Sequence, residues 1–105
     1  MVLDERLKQI FTELTSIDAT SGNEAPVAEY IKNFAKNFGL RVFTDGAAEL
    51  SKGNSGNVII EILGGGNHLL LAHMDTPRST ANLKHQFHQD RITSDGTTPL
   101  GVDDR

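Results

Sequence analysis

The stretch Leu69-Leu70-Leu71-Ala72 constrains this chain more than any other. Four consecutive apolar residues cannot alternate between a core face and a solvent face. They read as a strand covered on both sides, as in a helix-flanked sheet. The run then delivers His73-Met74-Asp75-Thr76-Pro77, so an imidazole and a carboxylate stand just past the strand's carboxyl end. In open α/β sheets, ligand sites gather at that position.

The residues ahead of this run supply covering elements. Leu3, Leu7, Ile10, Phe11, Leu14 and Ile17 recur at three- and four-residue steps. They predict an amphipathic helix with Asp4, Arg6, Lys8 and Glu13 outward, ending near Asp18-Ala19-Thr20. Ser21-Gly22-Asn23-Glu24 has the form of a capping box, with the Ser21 hydroxyl accepting an early amide and Glu24 reaching back. Pro26 fits a first helical turn, and Val27, Ile31, Phe34, Ala35 and Phe38 form a second apolar face that stops at Gly39. Phe11, Phe34 and Phe38 are core candidates on these stripes. Short strands are expected at 40–43, 57–63, 69–72 and 91–93, with turns at Asp45-Gly46 and Gly64-Gly65-Gly66-Asn67. The polar stretch 77–90 carries no assignable element. Helices followed by apolar strands predict an α/β layered domain, with residues 1–105 as one unit and no linker.

Composition narrows the function classes. The 105 residues suffice for one modest core, and 37% hydrophobic content favours a folded chain over disorder. A net charge of -4 without a basic stripe argues against nucleic acid as a partner. Cysteine is absent, which removes disulfides and thiolate metal sites and agrees with a cytoplasmic setting. The N-terminus lacks the basic-then-apolar layout of a signal peptide. The longest apolar run falls far below the roughly 20 residues that a bilayer span needs.

The chemistry-bearing residues are few. A neutral His73 imidazole is a good zinc ligand, and in an extended segment Asp75 points the same way and can accept from its second nitrogen. A bare His-x-Asp triplet equally describes a hydrogen-bonded loop pair, because so short a motif recurs by chance. Asp103 follows Gly101, and a carboxylate there can bridge two divalent ions roughly 3.5–4 Å apart. Alone, Asp103-Asp104 also reads as a solvated acidic pair. His85 and His88 lack a third ligand nearby and read as exposed surface, as does His68 in its loop. Gly64-Gly65-Gly66 joins two strands rather than opening a helix, so it reads as a turn and not a phosphate cradle.

Taken in order, the His73-Met74-Asp75-Thr76 motif after its apolar run and the segment Ser94-Asp95-Gly96-Thr97-Thr98-Pro99-Leu100-Gly101-Val102-Asp103-Asp104 resemble a known family. It is the dinuclear zinc metallopeptidase family that includes peptidase T, carboxypeptidase G and the aminoacylases, and the likeness is strongest to the peptidase T-like branch. Ser21-Gly22-Asn23-Glu24 and Val27-Ala28-Glu29-Tyr30-Ile31 match the family's entry pattern, so the resemblance spans essentially the whole chain. It implies the N-terminal part of a layered catalytic domain, two helices then a mixed sheet. It implies that His73 ligates one zinc, that Asp103 bridges both, and that Asp75 orients and polarises His73. Thr76 and Pro77 would shape the cleft wall. Arg105 stands where the family usually has Lys.

In the complete enzyme the resemblance implies a metal-bridged water attacking the carbonyl of a short peptide read by its free amino end, with a glutamate taking the proton. The family's Glu-Glu pair (a base and a ligand), its later carboxylate and its distant histidine have no counterpart here. Every glutamate of this chain precedes His73. Two zinc ions are therefore expected in the complete enzyme, and weak or absent zinc binding with no peptide turnover for these 105 residues alone. Two other readings stand beside this one. One is a non-catalytic interaction fragment or half of a split enzyme, partnered by a second copy or by a separately encoded C-terminal half. The other is an amide-cleaving deacylase relative that shares the first half of the site.

Overall fold

Asp4 opens the first helix as its N-cap: Oδ1 accepts from the Arg6 and Leu7 amides at 2.8 and 3.2 Å, satisfying donors the first turn leaves unpaired. The computed structural model describes residues 4–64 and 66–100. Helix α1 (Glu5–Thr15) ends two residues short of the last apolar position of its stripe, and Ser16 caps it through bonds to the Thr12 carbonyl. Helix α2 (Ala25–Asn37) starts with Pro26 in its first turn, as its spacing predicts. It stops at Phe38, and Gly39 follows at φ 69°, a left-handed conformation that favours glycine.

Strands β1 (Arg41–Thr44) and β2 (Val58–Glu61) pair antiparallel, with Arg41 opposite Glu61 and Thr44 opposite Val58, and α2 packs on both. Between them lies a short helix α3 (Ala47–Ser51), where the sequence showed only the Asp45-Gly46 turn. Strands β3 (Gln86–Phe87) and β4 (Ile92–Thr93) form a second antiparallel pair inside and just after the stretch that had no assignable element. Among the described residues the architecture is thus α/β, three helices with short antiparallel strands. A parallel bridge between Thr20 and Thr76 is one of the contacts that join the two halves, beside bonds from Ser79 and Thr80 to Asp18. None of the described helices is long and apolar enough to cross a membrane.

The buried centre is small: Ala19, Val27, Ala28 and Ala35, with Thr15, Thr76 and Thr80 among them. Two expectations are corrected here. Residues 69–72 form no strand, and Leu70 is 94% exposed rather than covered on both faces. An apolar run becomes a strand only where neighbours complete its ladder, and no described residue pairs with this backbone. Phe34 and Phe38 lie at the surface, packed on each other at 5.1 Å between centroids, with the Arg6 guanidinium 5.2 Å over Phe38. Their stripe is amphipathic, but α1 and the β1–β2 pair cover only part of it.

Candidate active site around His73 and Asp75

The parallel bridge builds this site. The Thr76 amide donates to the Ala19 carbonyl at 2.8 Å, and the Thr76 hydroxyl donates to the Arg78 carbonyl at 2.6 Å. The first bond fixes the segment leaving Asp75 against the loop that follows α1, and the second shapes the turn of that segment itself. Ser21 is one residue past the bridge, and its hydroxyl donates to Asp75 Oδ2. The other carboxylate oxygen, Oδ1, lies 3.3 Å from His73 Nδ1, and the same nitrogen lies 2.9 Å from the Asp75 backbone carbonyl. Two acceptors therefore face Nδ1. They favour the imidazole proton at Nδ1, the tautomer in which histidine ligates metals through Nε2.

Asp75 is held below the usual carboxylate range. The Ser21 hydroxyl is the main cause, and burial opposes it; a backbone amide and the neighbouring His73 add smaller contributions in the lowering direction. The side chains of His73 and Asp75 are 46% and 34% exposed, so solvent screens their mutual attraction and the pair serves orientation more than stability.

A cavity of about 830 Å³ opens beside the pair, within the range of small-molecule sites. Gly22, Glu24, His73 and Asp75 form its polar corner, and β2 with the exposed leucines of 69–71 forms an apolar wall. Glu24 is engaged locally, its Oε1 accepting from the Gly22 amide at 2.9 Å.

The structure brings together His73 and Asp75 from the sequence prediction. Asp103, the expected bridging carboxylate, lies outside the described residues, as do Asp104 and Arg105. Thr76 is buried and occupied by the bridge, Pro77 is exposed, and neither borders the cavity. Among the described residues no group of three or more His, Cys, Asp or Glu converges to hold a metal. The donor chemistry suits one zinc ligand with a carboxylate behind it, and a catalytic zinc needs about three such ligands.

His85 was expected at the surface and is instead half-buried. Its ring meets Phe87 face on and Phe11 edge on, at 6.0 and 6.5 Å between centroids, and Nε2 contacts the buried Thr15 hydroxyl. His88 bonds Thr93 Oγ1 at 3.0 Å and stays exposed. Sequence reasoning missed the part Ser21 takes at the site. The signal was the same Ser-x-x-Glu pattern that was read as a helix cap, and it gave no hint of a partner 54 residues away.

No family model matches the chain. Its sequence is similar to the Bacillus subtilis (strain 168) protein YqjE, 30% identical over the whole of this chain and 29% of that protein. Among solved structures it is similar to a tripeptidase from Staphylococcus aureus, at 35% identity and a TM-score of 0.81, covering 99% of this chain and 29% of that one. It is also similar to the aminopeptidase PepT from Bacillus cereus ATCC 10987, at 29% identity and a TM-score of 0.81, covering 98% of this chain and 29% of that one. The chain thus spans about three-tenths of the length of the proteins it matches, two of which are peptidases.

Proposed function

We propose that residues 1–105 are the N-terminal portion of the catalytic domain of a cytoplasmic zinc-dependent aminopeptidase or tripeptidase acting on short peptides. The observation that carries this reading is the His73 imidazole turned by its Nδ1 onto Asp75 at the polar corner of an 830 Å³ cavity. The likeness to a tripeptidase and an aminopeptidase supports it, as does the order of the sequence motifs.

In this reading His73 and Asp103 are the residues of this chain that would hold the metal pair. Zinc, when bound, supplies Lewis acidity toward a peptide carbonyl and toward water. The chain's own residues prepare that chemistry. Asp75 keeps the proton on Nδ1 and raises the donor strength of Nε2. The apolar wall formed by β2 and 69–71 offers a surface for a peptide side chain. The proton-accepting glutamate has no counterpart among these residues, so these 105 residues alone bind zinc weakly and turn over no peptide.

The test mixes this chain with the complementary C-terminal part of a peptidase T-like enzyme and follows tripeptide hydrolysis. Expected is activity that requires both parts, is abolished by a chelator, and is lost in His73→Ala. Hydrolysis indifferent to chelator and to His73→Ala would overturn the reading, and so would a stable complex with no hydrolysis.

A further inference from the structure

We infer that Ser21 is a positioning residue, which acts on His73 through Asp75. The proposal rests on the peptidase reading for its consequence, and on geometry alone for its content. The first observation is that Ser21 is diverted from the task its sequence pattern assigns. Helix α2 has Glu24 as its N-cap and no side-chain capping bond. The amide of Ala25 is satisfied instead by Asn54 Oδ1 at 2.9 Å, from a loop 29 residues away. The Ser21 hydroxyl is thereby released from the helix, and it donates to Asp75 Oδ2.

The second observation is what that bond does to the carboxylate. An aspartate with one oxygen tethered cannot rotate freely about its Cβ–Cγ bond, a torsion that is otherwise broad. With Oδ2 held by Ser21, Oδ1 faces His73 Nδ1 at 3.3 Å. The third is that the tether has a rigid base. Thr20 is bridged to Thr76, and the Gly22 carbonyl accepts from the Asn54 amide at 3.0 Å, so the residues on either side of Ser21 are both anchored. Gly22 sits at φ 90°, where a residue with a side chain is strained, and this turn aims Ser21 across at Asp75.

A competing acceptor makes the claim testable. The Asp75 backbone carbonyl also faces Nδ1, at 2.9 Å, and it would stay in place without Ser21. If the carbonyl alone fixes the tautomer, Ser21 is irrelevant to the imidazole.

The experiment uses the whole chain, labelled with ¹⁵N, at about pH 9, where imidazoles are neutral. Long-range ¹H–¹⁵N correlation spectra read the tautomer of each histidine, with His73 assigned through His73→Gln. The native chain should hold His73 as the Nδ1–H form. Ser21→Ala should convert it to a mixture of tautomers, and Ser21→Thr, which keeps the hydroxyl, should restore the native form. A folded Ser21→Ala chain with an unchanged His73 tautomer would sink the proposal. Should Ser21→Ala fail to fold, the native chain decides: a cross-peak between the Ser21 and Asp75 methylene protons, which do not exchange with water, supports the tether, and its absence refutes it. Neither metal nor peptide enters these measurements, so their failure is separable from failure of the peptidase reading.

Discussion

Gly56 is buried, and its position has room for a hydrogen and nothing larger: an added Cβ would stand 2.2 Å from the Asp45 carbonyl oxygen and 2.8 Å from Asp45 Oδ1. Gly56→Ala must therefore push two backbone segments apart, and it should destabilise the chain by about 1–3 kcal/mol, read as a lower urea midpoint. Asp45 is held in that crowded spot by three bonds, from the Asn57 side chain at 2.9 Å, the Asn57 amide at 2.8 Å and the Ala47 amide at 3.1 Å. These bonds, the Asn57 side chain foremost, keep its carboxyl below the ordinary value. Because the folded state binds that proton less readily than the unfolded state, the stabilisation is complete above the unfolded value. It is lost as pH falls through the folded one. The native chain should thus surpass Asp45→Asn in urea midpoint at about pH 7, and the gap should narrow by about pH 3. A gap that does not change with pH would show that the charge contributes nothing. Sequence reasoning reached the Asp45-Gly46 turn and the His73–Asp75 pair because both are contacts between near neighbours. It could not reach Asn57 beside Asp45, or Ser21 beside Asp75, because hydrogen bonds across 12 and 54 residues leave no periodicity to read.

At the level of elements, the two longer helices were legible, while α3 and the helices' fastenings were not. The three- and four-residue spacing of apolar side chains gave the existence and faces of α1 and α2, and the Val- and Ile-rich run gave β2. However, α1 ends at Thr15, short of the expected Asp18-Ala19-Thr20, and α2 is capped at Glu24 rather than Ser21. The start of α2 illustrates the remainder. Its first amide is satisfied by Asn54, and the Asn54 amide in turn holds the Gly22 carbonyl, so one loop residue clamps both the turn and the helix. Asn54→Ala removes the capping acceptor and should lower stability by about 1 kcal/mol, the usual cost of a lost cap. Helical circular dichroism at low temperature should persist while the thermal midpoint falls. An unchanged midpoint would mean that water replaces Asn54 at no cost. The two helices are also joined through Tyr30, whose hydroxyl donates to Glu13 Oε2 at 2.5 Å. Burial, reinforced by that bond, pushes the phenol up to about 12, so the link stays intact across the neutral and mildly alkaline range.

Across the whole molecule, the chain exposes more surface than its mass warrants. A folded monomer of 11.4 kDa exposes about 5,800 Å² and has a radius of gyration near 13 Å. This chain exposes 7416 Å² and has a radius of gyration of 14.9 Å. Much of the excess is apolar, with Leu63, Leu69, Leu70 and Leu71 between 80% and 94% exposed. A hydrophobic content of 37% does not reveal this, because composition counts apolar residues without saying whether anything covers them. An uncovered patch of this kind drives association and binds apolar dyes. The chain should therefore enhance the fluorescence of an anilinonaphthalene dye, and light scattering should report a mass that rises with concentration. Leu70→Lys alters a side chain that makes almost no packing contact, so it should leave the circular dichroism spectrum intact while reducing both signals. If the native chain instead stays monomeric and leaves the dye dark, the leucines of 69–71 are covered in solution, and the apolar wall assigned to the cavity is closed.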